Sequence, residues 1–223
     1  MIWVPSAALT VSEREIALRL GLLKGTASAK DSPLRERMNG AGDFWGLPVG
    51  AALSELRRAV QCAYTFRESD VCVFPDGETC TFGFGAVRSR SLANYLDGAE
   101  GVYVFAATLG IGADRLIRSA GCRGVLAQYV TDAVASAMIE SLCDFAGAEL
   151  PLLTRSRFSP GYGDLPLALQ KDIFRVLDCQ RKIGLTLNVS LLMSPSKSVT
   201  AIIGVSEQCR NSSGSKCKSC NKT

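Results

Sequence analysis

The stretch from Leu185 to Val205 reads LTLNVSLLMSPSKSVTAIIGV, and apolar residues take every second position in two separate runs of it. The first run extends from Leu185 to Met193, the second from Val199 to Val205, and SPSK stands between them. Because side chains alternate between the two faces of a strand, this period of two predicts two β-strands joined by a loop.

The segments before this stretch add helices and further strands. DVCVF and ETCTFGF flank Asp76-Gly77 and predict a β-hairpin with a tight turn, and GVYVFAATLG, which begins at Gly101, predicts a buried strand. Apolar spacing predicts helices after the Ser12-x-x-Glu15 capping box, around Leu56, around Leu92, across ADRLIRSA, from Gly124 to Ala146 and from Pro166 to Gly184. Hairpins mixed with helices, without a βαβ period, predict an α+β fold built on an antiparallel sheet.

Composition and charge exclude several classes of partner. The chain has 223 residues with 47% hydrophobic residues, no apolar run long enough to cross a membrane and no signal-peptide pattern, so we expect a soluble cytoplasmic protein. The net charge is +4, but the tail from residue 207 holds four of the cations, Arg210, Lys216, Lys218 and Lys222, against Glu207. The remainder is close to neutral, so we expect no nucleic acid partner.

The sequence contains no histidine. This excludes His-based acid–base catalysis, Ser-His-Asp triads and histidine ligands to zinc, haem or a corrinoid. If the chain does chemistry, this composition favours a reactive group that a bound cofactor supplies.

Nine cysteines fall into two groups. Six lie among apolar residues and are interpreted as reduced, buried side chains: Cys62, Cys72, Cys80, Cys122, Cys143 and Cys179. Cys209, Cys217 and Cys220 lie in the polar tail with the C-x-x-C spacing of metal sites, although a closed tetrahedral site needs four ligands. Metal or iron–sulfur binding and exposed thiols both remain open for the tail.

The stretch RFSPGYGDLP, from Arg157 to Pro166, combines a cation, a Pro-Gly turn and a tyrosine. Proline and glycine form a turn that a ligand can approach closely, and arginine binds a carboxylate through two parallel hydrogen bonds. A tyrosine ring stacks on a heterocycle or contacts a cation. A ligand with a carboxylate, a purine and a cationic centre, such as S-adenosylmethionine, matches this set, and a plain connecting turn is the alternative.

The same stretch opens a longer match. RFSPGYGDLPLALQKDIFRVLDCQRKIGLTLNVSLLMSPSKSVTAIIG resembles the activation domain of cobalamin-dependent methionine synthase, with its Arg-x-x-x-Gly-Tyr turn, helix, Leu-Thr strand, Met-x-Pro and Ser-Val strand in the same order. ANYLDGAEGVYVFAATLGIGADRLIRSAG and YVTDAVASAMIESLCDFAG are similar to the short free-standing forms of that domain. The resemblance covers roughly residues 92–206.

The resemblance implies both a fold and a function. The fold would be one C-shaped α+β domain with a bent antiparallel sheet flanked by helices. The chain would hold S-adenosylmethionine, with an electron donor, over an oxidised cob(II)alamin carried by a partner protein, and would return that cobalamin to its methylated form. On this basis residues 1–90 form an N-terminal helical and hairpin portion of the domain, 91–206 the S-adenosylmethionine-binding core and 207–223 a flexible tail.

The resemblance also assigns roles to individual residues. Arg157 would bind the methionyl carboxylate and Tyr162 would line the pocket, while backbone groups of Phe158, Ser159 and Gly161 would face the ligand. Glu140, at the edge of an apolar stripe of the longest predicted helix, would face the ligand's amino group. A carboxylate beside apolar residues is costly unless it is paired, which a cationic ligand would explain.

Two other functions remain open at this stage. The first is a non-catalytic module that docks on a corrinoid protein without using S-adenosylmethionine. The second is a thiol or iron–sulfur electron carrier that uses the cysteines of the tail. The reading as a methyltransferase component that reactivates methionine synthase is the preferred one.

Overall fold

A computed structural model describes residues 1–22, 46–152 and 154–205 of the chain. In chain order the elements are β1 (Ile2–Val4), a short 3-10 helix (Ser6–Ala8), α1 (Glu13–Arg19), α2 (Val49–Ala59), β2 (Cys62–Ser69), β3 (Val71–Val73), β4 (Thr79–Phe82), β5 (Gly85–Arg88), α3 (Arg90–Leu96), β6 (Gly101–Thr108), α4 (Ile111–Arg123), α5 (Val125–Ala148), α6 (Leu169–Leu177), α7 (Cys179–Ile183), β7 (Thr186–Leu187), β8 (Met193–Ser194) and β9 (Ser198–Val205).

Within the described residues, the strands form three sheets. Four strands make the largest sheet in the order β1-β2-β6-β9, β3-β4-β5 form a meander, and β7 pairs with β8. The pairs β1–β2, β3–β4, β4–β5 and β7–β8 are antiparallel. The mixture of these sheets with helices confirms the predicted α+β class.

The chain divides into two compact units, each built from several segments. The first unit comprises residues 1–22, 46–65, 107–146 and 179–199, and the second comprises 66–106, 147–152, 154–178 and 200–205. The predicted boundary between residues 90 and 91 falls in the first turn of α3, within the second unit.

In the first unit, α2 and α4 approach each other closely. A Cβ placed on Gly112 of α4 would lie 1.8 Å from the carbonyl oxygen of Ala59 in α2. Arg123 at the end of α4 also binds both carboxylate oxygens of Glu55, at 3.0 and 2.7 Å. Only the absent side chain of Gly112 lets the two backbones meet at this distance.

In the second unit, the apolar face of α3 packs towards the β3-β4-β5 meander. Leu92 and Leu96 are fully buried, and Ser89 caps the helix by accepting a 3.0 Å hydrogen bond from the Leu92 amide. Burial of one such leucine side chain stabilises the fold by about 1.5–3 kcal/mol. The segment 154–158 runs beside β9, through bridges of Thr154 to Val205 and of Phe158 to Ile202.

Several local predictions are confirmed. Ser12 caps α1 and accepts a hydrogen bond from the Glu15 amide, as the capping box predicts. Asp76 accepts hydrogen bonds from the amides of Glu78 and Thr79 in the turn between β3 and β4. The hydrogen bond from the Thr79 hydroxyl, together with these two amide bonds, lowers the pKa of Asp76 to about 2.

The predicted strand from Leu185 to Met193 is wrong. Only Thr186–Leu187 and Met193–Ser194 are strands, and they pair with each other across a turn. Asn188 forms this turn, because its side-chain oxygen accepts hydrogen bonds from the amides of Ser190 and Leu192, both at 2.9 Å. Val189, one of the alternating apolar residues of that run, is 99% exposed.

Two helix predictions need correction. The helix predicted from Pro166 to Gly184 is two helices, α6 and α7, because Asp178 between them adopts a left-handed backbone with φ 53°. In α5 the predicted apolar stripe is buried at Val130, Val134 and Ala137, but Leu126 at its start is 56% exposed.

The prediction that six cysteines are buried holds for four of them. Cys62, Cys80, Cys143 and Cys179 are buried, whereas Cys72 and Cys122 are exposed. Burial raises the pKa of the Cys62 and Cys80 thiols to about 11. Cys209, Cys217 and Cys220 lie outside the described residues.

Candidate functional site

Phe158 fixes the start of the Arg157–Tyr162 turn against β9. Its amide donates to the Ile202 carbonyl at 2.9 Å, and its carbonyl accepts from the Ile202 amide at 2.8 Å. Arg157, directly before it, is half-buried. The turn therefore begins at a residue whose amide and carbonyl are both hydrogen-bonded to β9.

The turn itself is closed by its own backbone. The Tyr162 amide donates to the Ser159 carbonyl at 3.0 Å, and the Gly161 amide donates to the Leu165 carbonyl at 2.9 Å. Gly161 has φ 94°, a conformation that glycine adopts without strain. Since the amides of Phe158 and Gly161 donate within the protein, a ligand would meet these two residues through other groups.

Asp164 ties the end of the turn to the start of α3. Its carboxylate accepts hydrogen bonds from the Ser89 hydroxyl at 2.5 Å and from the amides of Arg90 and Ser91 at 2.8 and 3.1 Å. The bond from Ser89 is the main cause that holds the pKa of Asp164 well below its usual range, and the amide bonds add to it. Sequence reasoning assigned no role to this aspartate, although turns frequently use Asp side chains to bind nearby amides.

Gly163 allows that approach. A Cβ placed on it would lie 2.5 Å from the Ser91 hydroxyl oxygen, and its φ of 55° is left-handed. The two contacts, Gly163 with Ser91 and Asp164 with Ser89, fix the turn to α3 over two consecutive residues.

Three aromatic rings form a row in the second unit that ends at the surface. The ring centroid of Phe158 lies 5.0 Å from that of Tyr95 and 6.1 Å from that of Tyr162, in an edge-to-face arrangement with the latter. Tyr162 is 58% exposed, so this last ring offers a face on which a planar heterocycle can stack.

Tyr95 anchors the inner end of the row. Its hydroxyl donates to the Ser156 carbonyl at 2.5 Å and accepts from the Gly204 amide at 2.8 Å. Burial raises the pKa of Tyr95 above its ordinary value, so the phenol stays protonated. The row is thus held in place by hydrogen bonds to β9 and to the segment 154–158.

Arg155, two residues before Arg157, has a structural role. Its guanidinium donates to the carbonyl oxygens of Tyr95 and Asp97, which end α3, and its aliphatic chain passes over Gly204. Cations stabilise the carbonyl end of a helix, so this arginine is committed to α3.

An open groove of about 350 Å³ adjoins the turn at Asp164. Glu78, Arg88 and Arg90 line it together with Ser89. Both arginines bind the Glu78 carboxylate, each at 2.6 Å, so the charges in the groove are paired among themselves.

Glu140 belongs to the first unit, on α5. Asp132, Ser136 and Glu140 follow one another at intervals of four residues, so they share one face of that helix. The Lys197 ammonium binds Asp132 and Ser136, both at 2.8 Å, and the Arg19 guanidinium lies 3.4 Å from Glu140.

The structure therefore gathers the five predicted turn residues in the second unit and places Glu140 in the first. That Glu140 meets the same ligand as the turn stays a prediction. Within the described ranges, no group of three or more His, Cys, Asp and Glu residues is placed to hold a metal ion. No helix there is long and apolar enough to cross a membrane.

Comparison with known proteins identifies a similar fold but no similar sequence. No family model matches the sequence, and no curated protein matches it. A solved structure does match: the crystal structure of the MetH reactivation domain bound to AdoHcy aligns with a TM-score of 0.62 over 92% of this chain and 77% of that chain. The chain is similar in fold to the MetH reactivation domain. Sequence identity is 12%, so the likeness concerns the fold.

Proposed function

We propose that this chain binds S-adenosylmethionine and reactivates a cobalamin-dependent methyltransferase by reductive methylation of the cob(II)alamin that a partner protein holds. The observation that carries the proposal is the fold shared with a reactivation domain solved with AdoHcy bound. In this fold the chain presents a turn with a half-buried arginine and a 58% exposed tyrosine.

The residues of the turn suit the ligand's chemistry. Arg157 would bind the methionyl carboxylate, the exposed face of Tyr162 would stack on adenine, and Glu140 would bind the amino group. The sequence contains no histidine, and the reaction needs no acid or base from the protein because the sulfonium sulfur departs as a neutral thioether. The contribution of the chain would be to position the methyl group in line with cobalt.

The reaction balances with one external electron. A low-potential one-electron donor reduces cob(II)alamin, the cobalt electron pair then bonds to the methyl carbon, the carbon–sulfur bond breaks, and neutral S-adenosylhomocysteine leaves. The proposal therefore requires two partners, a corrinoid-binding methyltransferase subunit and an electron donor.

The first test is ligand binding by calorimetry with an Arg157→Gln variant. Loss of a charge-assisted pair is worth about 1.5–3 kcal/mol, so the Kd for S-adenosylmethionine should rise about tenfold to a hundredfold. Arg175→Gln is the matched control, since Arg175 also lies in the second unit and is 67% exposed beside Asp172. Methylthioadenosine lacks the carboxylate, so its affinity should be the same in all three proteins.

The second test is methyl transfer. The chain is mixed with a partner loaded with cob(II)alamin, titanium(III) citrate and methyl-labelled S-adenosylmethionine, and labelled methylcobalamin is measured. Equal S-adenosylmethionine binding by the parent and Arg157→Gln would contradict the proposed site. Binding of the corrinoid partner without any heat from S-adenosylmethionine would instead support a docking module.

A further inference from the structure

We propose that Tyr95 is a positioning residue for ligand binding: its hydroxyl completes a β-bulge beside β9, and the bulge supports the exposed ring of Tyr162 on which the adenine stacks. The inference rests on the proposed function, because it takes Tyr162 as the ring that meets the adenine. All the residues that carry it lie in the second unit.

The segment 154–158 has one more residue than β9 between the two bridges that join them. Thr154 pairs with Val205 and Phe158 pairs with Ile202, so three residues of the segment lie opposite two residues of the strand. An extra residue of this kind is a β-bulge, which disrupts the ladder locally and changes the direction of side chains, frequently beside binding sites.

The Tyr95 hydroxyl occupies the gap in the ladder. Two residues before the doubly bonded Phe158, regular antiparallel pairing would join Ser156 and Gly204 directly through their backbone groups. Instead the Gly204 carbonyl accepts a hydrogen bond from the Arg155 amide at 2.9 Å. The phenol donates to the Ser156 carbonyl at 2.5 Å and accepts from the Gly204 amide at 2.8 Å, so it satisfies the two groups that the bulge separates.

The bulge decides which face of the segment carries the Phe158 ring. In an unbroken strand, side chains three positions apart lie on opposite faces. Here the Arg155 guanidinium donates to the Tyr95 carbonyl, and the Phe158 ring centroid lies 5.0 Å from that of Tyr95, so both side chains face α3. The extra residue is therefore what brings Phe158 to this side.

Phe158 in turn supports the ring at the surface. Its centroid lies 6.1 Å from that of Tyr162 in an edge-to-face contact, and Tyr162 is 58% exposed. Without the phenol, the backbone groups of Ser156 and Gly204 lose their partner, which favours their direct pairing and the loss of the bulge. Phe158 would then turn away from α3, and the Tyr162 ring would lose its support.

Tyr95→Phe tests the hydroxyl alone, because the aromatic ring stays. We expect the Kd for S-adenosylmethionine and the Kd for methylthioadenosine to rise by the same factor, about threefold to tenfold, since both ligands carry the adenine. Tyr103→Phe is the matched control, because Tyr103 is a buried tyrosine of β6 in the same unit and its hydroxyl bonds to the backbone of Leu152. The control should lose comparable stability in urea without a change in either Kd.

A second experiment separates positioning from a general loss of structure. The calorimetric titrations are repeated in a Tyr162→Leu background, which lacks the stacking ring, and there Tyr95→Phe should have no further effect. A hydroxyl that only stabilised the unit would weaken binding by the same factor in both backgrounds.

Each outcome decides for or against the role of Tyr95. An unchanged Kd for both ligands in Tyr95→Phe overturns the inference, and so does an equal change in Tyr103→Phe or an undiminished effect in the Tyr162→Leu background. A rise confined to S-adenosylmethionine also overturns it, because the defect would then lie at the amino acid end of the ligand. If the parent binds S-adenosylmethionine, these results leave the proposed function intact. If the parent binds neither ligand, the proposed function fails and the inference fails with it.

Discussion

Gly163 and Gly77 are two turn glycines of the second unit that share a left-handed backbone but differ in their surroundings. Gly163 has φ 55° and a Cβ on it would meet the Ser91 hydroxyl oxygen at 2.5 Å, whereas Gly77 has φ 66° and no atom within 4 Å of that position. Gly163→Ala should therefore lower the free energy of unfolding. The strain of alanine in a left-handed backbone accounts for roughly 1–2 kcal/mol, and the contact with Ser91 adds a further loss. Urea unfolding of the variant measures the sum.

Gly77→Ala isolates the strain, because alanine meets nothing there. The difference between the two variants is the cost of crowding Ser91 and of loosening the Asp164 bonds beside it. Equal losses of stability in the two variants would contradict the conclusion that Gly163 is needed for the attachment of the turn to α3.

At the scale of residues, the sequence indicated where the turn lies but not what each arginine before it binds. Arg155 and Arg157 are equivalent in pattern, both at the start of the Pro-Gly turn. Only the structure shows that the Arg155 guanidinium binds the last carbonyls of α3. The sequence contains no local signal for this contact, because its acceptors are backbone atoms about sixty residues away in the chain.

The contact of α2 with α4 gives a prediction at the scale of elements. In Gly112→Ala the new methyl group would lie 1.8 Å from the Ala59 carbonyl oxygen, a backbone atom that cannot rotate away. We expect the variant to lose about 3 kcal/mol or more in the free energy of unfolding, at the upper end of overpacking effects.

Gly147 of α5 provides the matched control, because a Cβ there has no atom within 4 Å. Alanine in a helix is favoured over glycine, so Gly147→Ala should leave stability unchanged or raise it by about 0.5–1 kcal/mol. Chemical denaturation of both variants measures the two effects. A Gly112→Ala protein as stable as the parent would show that α2 and α4 lie further apart.

Most elements with strong local signals were predicted well, and one of the exceptions, the strand predicted from Leu185 to Met193, is informative. The run from Leu185 to Met193 has the period of a strand, yet Asn188 interrupts it by binding two amides beyond it. Alternation alone does not distinguish one strand from two short strands around a turn. An asparagine at the centre of the run was the available signal.

For the whole molecule, stability should be constant from about pH 5 to 8, because no histidine titrates in that range. The pKa of Asp76 falls from 3.8 to about 2 on folding, so its contribution is complete above pH 4 and is lost as pH falls towards 2. The pKa of Cys62 and Cys80 rises from 9.0 to about 11, so their contribution is lost as pH rises through that interval.

Urea midpoints measured from pH 2 to 11 check both edges. Asp76→Asn should reduce the acid loss without abolishing it, because the pKa of Asp164 is also lowered in the folded protein, and Cys80→Ala should reduce the alkaline loss. A change of midpoint between pH 5.5 and 7.5 would contradict the assignment of these groups.

For the whole chain, the sequence predicted the fold class and the position of the candidate turn, but not all of the contacts around them. The α+β class and most helices followed from periodicity, and the turn from its unusual combination of residue types. The pairing of Arg19 with Glu140 did not, because the two residues are 121 positions apart and join only through tertiary packing.

The interleaving of the two units has a practical consequence for anyone who dissects the protein. The chain passes from one unit to the other five times, at 65/66, 106/107, 146/147, 178/179 and 199/200. Any cut between residues 66 and 199 therefore leaves parts of both units in both fragments. Neither half is expected to fold when expressed by itself, and split-protein pairs should regain structure only when their pieces are mixed.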